Sequence, residues 1–280
     1  MTKKIVYKIT DDINPKDVLC TTYQMRNFYA QMADGFFSGL DVMNYIQHYK
    51  AVIMMKKDWR VLDVCCGRGL LLPLIRYYAR DIKEYIGVDI SENNIKEQTR
   101  RSGVKKINDL SYYPFKITHI IQNVAEMADH VDGLIDFVVY TSAIEHMQKE
   151  TGASSLKECY KLMKPGAQMF ISCPNTYNKK DPYDTQYAAH LYEWDKKELE
   201  KELIKTGFEI KDCFGLYAKK REFDKIATQI MSDIEYKNYQ RLSKYLPTPF
   251  LMSFISILFP EIASEVLFIV KKPSNQKEIF

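Results

Sequence analysis

The chain has 280 residues, 46% hydrophobic and 27% charged, which is enough to bury one large core. Its formal net charge of +4 is spread along the sequence, unlike the concentrated basic stripe of a dedicated nucleic-acid binder. No apolar run reaches the ~18 residues a membrane-spanning helix needs, and the six cysteines contain no CxxC pair that would suggest a zinc site or a disulfide framework.

The N-terminal "MTKKIVYKITDD" is basic but lacks the apolar centre of a signal peptide, so the cytoplasm is the expected compartment. Residues 1–20 read as a loose arm. From Thr21 to Lys57 the sequence is rich in Met and aromatic residues, with Gly35 and Gly39 marking a break, and predicts two or three helices. Residues 1–57 are therefore expected to form a helical cap, and residues 58–280 the main domain.

Strands and helices then alternate. "RVLDVCC" predicts a first strand and "LLLPLIRYYA" the helix after it. "EYIGVDI" is a second strand, followed by the helix "SENNIKEQTRRS" with Ser91 as its N-cap. "KITHIIQNV" and "IDFVVYTSA" are the third and fourth strands. The helix "SSLKECYKLM" is expected to end at Lys164-Pro165-Gly166, before a fifth strand, "AQMFISC". A further helix, "WDKKELEKELIKTGF", stops at Gly207. "EIKDCFGLYAKK" and "SEVLFIVKKP" are the sixth and seventh strands, separated by a lid-like insertion at 221–263. Repeated βα units of this length imply a Rossmann-like α/β fold: a seven-stranded, mostly parallel sheet with helices on both faces.

The first strand runs into Gly67-Arg68-Gly69. A dinucleotide fingerprint would need a third glycine where Leu72 stands, and Asp63 would repel a pyrophosphate. That carboxylate would instead attract an ammonium group. Asp89, twenty-two positions after Gly67, ends the second strand, where it can accept both ribose hydroxyls. Ribose recognition beside a carboxylate points to S-adenosylmethionine.

"VLDVCCGRG", "GVDIS", "YTSAIEHM", "LMKPGAQMFISCPN" and "KTGFEI" follow the order and spacing of the class I S-adenosylmethionine-dependent methyltransferases. The chain resembles that family over about 58–217 and the seventh strand. The resemblance implies cofactor contacts from Asp63, Cys65, Gly67, Gly69, Asp89, Ile90, Asn123, Val124 and Thr141. Cys65 stands where the family commonly has Gly. Asn123 stands where it usually has an Asp for the adenine amine, and an Asn carbonyl can accept the same bond.

The Asp/Asn-Pro-Pro-aromatic tetrad and the Pro-Cys of base-modifying methyltransferases are absent from the end of the fourth strand. The chain has Glu145-His146 there and His190 in a later "HLYEW". This resembles the small-RNA 2′-O-methyltransferases and, more loosely, the O-methyltransferases of ubiquinone biosynthesis. In those families a Glu-x-x-Glu-His segment holds a divalent cation, but Ser142 replaces the first Glu here. The expectation is therefore a catalytic Glu145, His146 and His190 set working as a base or pocket wall with no assigned metal, a divalent cation being the less favoured alternative. The two histidines should then lie within about 10 Å of each other, since both must reach one acceptor.

Tyr23, Phe28, Tyr29, Phe36 and Phe37 in the cap, with Tyr245, Phe250 and Phe254 in the insertion, suggest an aromatic pocket for a small-molecule acceptor. An RNA acceptor and a non-catalytic cofactor-binding subunit are the alternatives. The apolar stretch 246–260 is expected to be too short and too proline-broken to span a bilayer, and is the candidate contact for a homodimer or a membrane surface.

Overall fold

The computed structural model describes residues 6–7, 39–101, 113–175, 183 and 189–274. All seven expected strands are present: β2 (Arg60–Val64), β3 (Glu84–Asp89), β4 (Lys116–Ile121), β5 (Ile135–Tyr140), β6 (Met163–Pro174), β7 (Glu209–Tyr217) and β8 (Glu265–Lys271). An eighth, β1 (Val6–Tyr7), falls in the segment expected to be a loose arm and pairs in parallel with β4. The sheet order is β1-β4-β3-β2-β5-β6-β8-β7. Only β8 runs antiparallel, lying between β6 and β7.

The strands alternate their side chains between two cores, as a pleat with a period of two residues requires. Leu62, Val64, Val138 and Tyr140 face one layer, and Val61, Phe137 and Val139 the other. The helices that cover these faces are α1 (Gly39–Met54), α2 (Leu71–Tyr78), α3 (Glu92–Arg101), α4 (Lys149–Leu162) and α5 (Lys196–Thr206). Within the expected cap the described residues form β1 and one helix, α1; Tyr23, Phe28, Tyr29, Phe36 and Phe37 lie outside the described residues. Gly207 ends α5 with φ +107°, a left-handed cap that costs glycine little.

Helix α4 ends at Leu162, earlier than the sequence reading places it, and Lys164-Pro165-Gly166 is already strand. A proline disfavours the helical conformation in the residue before it, which drives this stretch into extended backbone. The β5–β6 register shifts between Ile135 and Phe137, opposite this irregular start.

The 221–263 insertion holds three helices, α6 (Lys220–Ile230), α7 (Asp233–Tyr245) and α8 (Thr248–Leu258). Phe223, Ala227, Tyr239, Leu251, Met252 and Ile255 give it a small core of its own. Helix α8 lies so close to β7 that a Cβ on Gly215 would sit 2.4 Å from the Ser256 carbonyl oxygen. Tyr245 at the end of α7 and Phe250 and Phe254 of α8 are all exposed, while α8 turns Leu251, Met252 and Ile255 inward.

Candidate active site

The glycine turn leaves β2 through three left-handed residues: Cys65 (φ +56°), Gly67 (φ +53°) and Gly69 (φ +77°). Glycine adopts this region without a Cβ clash, whereas Cys65 carries strain of about 1–2 kcal/mol. At Gly69 the restriction is spatial as well, since a Cβ would stand 2.5 Å from the Gln98 side chain.

Asp63, on the buried end of β2, accepts a 2.6 Å hydrogen bond from the Tyr85 hydroxyl of β3. Gln98 of α3 in turn donates to that hydroxyl at 2.8 Å. Burial pushes the Asp63 carboxyl up to about 7; the Tyr85 bond opposes the rise and nearby Asp89 adds to it. A carboxylate so costly to ionise gains most from a cationic group placed beside it.

Asp89 holds the turn together. Its Oδ2 accepts from the Gly67 backbone N–H and its Oδ1 from the Ser91 N–H, both at 2.8 Å. Both oxygens, expected to accept ribose hydroxyls, are already engaged by backbone amides. Oδ1 also accepts from Asn94 Nδ2 at 3.4 Å, which leaves Oδ2 with the open lone pair for a ligand. Ser91 Oγ accepts from the Asn94 N–H at 3.3 Å, the N-cap bond expected of it.

The remaining expected cofactor residues lie along the same carboxyl edge of the sheet. Ile90 follows β3, and Asn123 and the buried Val124 follow β4. Asn123 Oδ1 is occupied locally, accepting from the Ala125 N–H at 3.0 Å. Thr141, just beyond β5, has its hydroxyl 3.3 Å from His48 Nε2 of α1.

In the same connection after β5, Glu145 and His146 sit in a single turn, Ile144–His146. His190 follows β6 and the segment 176–188, yet its ring centroid is 5.0 Å from that of His146. One ligand atom from each of Glu145, His146 and His190 lies within 4.8 Å of the others. Backbone pairing draws the two segments together, with the Leu191 N–H donating to the Glu145 carbonyl at 2.8 Å.

Both imidazoles are anchored on one side. His146 Nδ1 donates to the Ala189 carbonyl at 3.1 Å, and His190 Nδ1 to Glu193 Oε1 at 2.6 Å. A carbonyl and a carboxylate can only accept, so Nδ1 carries the hydrogen in both rings and Nε2 the lone pair. Burial, reinforced by His190, lowers His146 to about 4, so its ring is neutral at physiological pH. Glu145 Oε2 is buried without a hydrogen-bond partner. Burial raises the Glu145 carboxyl well above its ordinary value, and the nearby Glu265 and Glu193 carboxylates add to the rise.

Four residues of this region went unassigned in the sequence. Glu193 could have been found from its i,i+3 spacing to His190 in "HLYEW". Gln47, His48 and Glu265 gave no signal, because their neighbours in space are far away in the chain. Gln47, fully buried on α1, donates to Ser142 Oγ at 3.1 Å and accepts from Ser172 Oγ at 2.7 Å.

A family model for the methyltransferase domain matches residues 27–212. The chain belongs to that family. It is a class I S-adenosylmethionine-dependent methyltransferase by family, as its motif order implies. A probable S-adenosylmethionine-dependent methyltransferase of Mycolicibacterium smegmatis is 30% identical over 158 residues, 56% of this chain and 54% of that protein. The match thus spans about half the length of that relative. A ubiquinone biosynthesis O-methyltransferase of Acinetobacter baylyi is 24% identical, over 62% of this chain and 72% of its own. Among solved structures, the cyclase SpnF superposes with a TM-score of 0.61 at 13% identity, covering 94% of this chain and 98% of the other. That similarity is one of fold alone, and a shared fold does not carry a reaction with it. No helix among the described residues is long and apolar enough to cross a membrane.

Proposed function

We propose that this protein transfers the methyl group of S-adenosylmethionine to an oxygen or nitrogen of a small-molecule acceptor. The observation that carries the reading is the convergence of Glu145, His146 and His190 beyond β5 and β6, one strand from the glycine turn. Ligands of parallel sheets bind outside the carboxyl ends of the strands, where β2 and β5 diverge in their connections. The ubiquinone-type relative supports an oxygen acceptor, because that protein is named as an O-methyltransferase.

In this reading Asp89 receives a ribose hydroxyl on Oδ2, with the second reaching Oδ1 in place of the long Asn94 bond, and Asp63 faces the ammonium of the methionyl part. Neutralising that buried carboxylate with a cationic ligand would offset part of its desolvation, which links cofactor selectivity to burial. Glu145, His146 and His190 then border the acceptor on the far side of the methyl group, where they hold it in line with the sulfur–methyl bond.

The three residues fit a divalent cation. Ligating histidines usually donate their second ring N–H to a carboxylate or a backbone carbonyl, as His190 and His146 do. The partnerless, buried Glu145 Oε2 supplies an anionic donor. Such a cation lowers the pKa of a coordinated acceptor hydroxyl. The chain's own part is to keep both rings in the tautomer that presents Nε2.

The test is to incubate the protein with methyl-labelled S-adenosylmethionine and either a metabolite extract or a pool of RNA. Label is expected in the small-molecule fraction, lost with a chelator and restored by Mn²⁺ or Mg²⁺. Label in RNA alone, or steady cofactor binding with no transfer to either pool, would overturn the reading.

A further inference from the structure

Ser142 occupies the position at which a carboxylate was missing, and what surrounds its hydroxyl is informative. Ser142 Oγ donates to Glu265 Oε1 at 3.0 Å, across 123 positions of sequence. Glu265 begins β8, opposite Pro174 of β6, so its side chain arrives from the antiparallel strand at the same sheet edge as Glu145 and His190. It is 6% exposed and Glu145 is 2% exposed. Among the described residues no lysine or arginine forms an ion pair with either carboxylate. Buried carboxylates without a counter-charge are costly, and a nearby cation offsets part of that cost.

A second observation points to a ligand at this place. Glu145 Oε2 is fully enclosed and has no hydrogen-bond partner, while the two histidines beside it have their Nδ1 atoms tied away from it. Polar atoms left in this way inside a folded protein are unusual unless an ion or a ligand completes them. Ser142 itself is held in a left-handed conformation (φ +47°) by its N–H, which donates to Ser172 Oγ at 2.9 Å. The hydroxyl is therefore fixed in direction, and it aims at Glu265.

We infer that Glu265 supplies from β8 the negative charge that position 142 lacks, completing a divalent-cation site with Glu145, His146 and His190. Glu265 lies beyond the three-residue cluster, with Ser142 orienting it, so it is a positioning and charge-balancing residue rather than one of the direct donors. A hard cation such as Mg²⁺ or Mn²⁺ tolerates this arrangement, because it retains several bound waters that a nearby carboxylate can hold. The inference rests on the cation reading of the proposed function. It adds that the carboxylate of the usual fourth-strand segment has moved to another strand.

The experiment is Mn²⁺ binding to the whole protein, read by electron paramagnetic resonance with Mn²⁺ alone as the probe. S-adenosylhomocysteine calorimetry and a thermal melt run in parallel report whether the cofactor site and the fold survive. Wild type is expected to take up one Mn²⁺, and Glu265→Gln to bind it at least tenfold more weakly with unchanged S-adenosylhomocysteine affinity. The relocated variant, Ser142→Glu combined with Glu265→Gln, should recover most of the lost affinity. Wild-type Mn²⁺ affinity in Glu265→Gln, or no recovery in a folded relocated variant, would overturn the role of Glu265. Absence of Mn²⁺ binding in wild type would overturn it together with the cation reading. Absence of S-adenosylhomocysteine binding would instead count against the methyltransferase reading.

Discussion

His190 and Glu193 form a carboxylate–imidazole pair, Nδ1 to Oε1 at 2.6 Å, with side chains 10% and 4% exposed. The pair fixes the ring's tautomer, so that Nε2 keeps its lone pair. An outer partner of this kind is typically worth about 10- to 100-fold in metal affinity or activity. Glu193→Gln should lower methyl transfer by that factor while leaving S-adenosylhomocysteine binding as it was in calorimetry. Equal loss in both readouts would mean that Glu193 supports the fold rather than the ring.

The Asp89 carboxylate links the glycine turn to the residue that caps α3. Asp89→Asn keeps the shape but turns an amide donor toward a backbone N–H and removes the charge behind the ribose bonds. Hydrogen bonds to a charged group contribute roughly 1.5–3 kcal/mol, so S-adenosylhomocysteine should bind about ten- to a hundredfold more weakly. The isosteric change is preferable to Asp89→Ala, which would also leave the two amides without acceptors. Calorimetry giving tighter NAD than S-adenosylhomocysteine binding in wild type would reject the cofactor assignment.

Cys65 is a β-carbon-bearing residue in a conformation suited to glycine. Cys65→Gly should relieve about 1–2 kcal/mol of strain, less the roughly 0.5–1 kcal/mol that glycine loses to chain entropy. The expected net gain is a melting temperature a few degrees higher at most, measured without cofactor. A clear fall would show that packing of the thiol against the core outweighs the backbone term.

Asp63 should make stability and cofactor affinity respond oppositely to pH. Its ordinary value is 3.8 and burial raises it to about 7 in the folded chain. Between these values the folded state binds more protons than the unfolded one, so this group's contribution to stability falls as pH rises through that window. Asp63→Asn should therefore melt higher than wild type at pH 8 and lose the advantage near pH 4. Cofactor affinity should rise from pH 6 to pH 8 in wild type, as Asp63 ionises to meet the ammonium, and that rise should flatten in Asp63→Asn. A parallel slope in both proteins would assign the titration to another group, such as Glu265, which is also raised to about 7.

The order of strands and helices was legible because each is written locally. A strand shows a period of two, as in Ile135–Tyr140, and a helix end shows a residue suited to it, as Gly207 and Ser91 do. The glycine turn, Asp63 and Asp89 were readable because a strand end and its turn are contiguous, so spacing alone places them together. Glu145, His146 and His190 could be paired because short motifs marked them at the ends of neighbouring strands. The fate of position 142 could not be read in this way. Its counterpart Glu265 lies 123 residues away, and Gln47 meets Ser172 across 125, with no pattern linking either pair. Those contacts exist only because β8 enters antiparallel beside β6 and α1 packs over the strand ends. The strain at Cys65 was equally hidden, since a residue's identity does not declare its φ. Local sequence determined which chemistry-bearing residues stand at the strand ends; strand order and burial decided which of them meet, and with what charge between them.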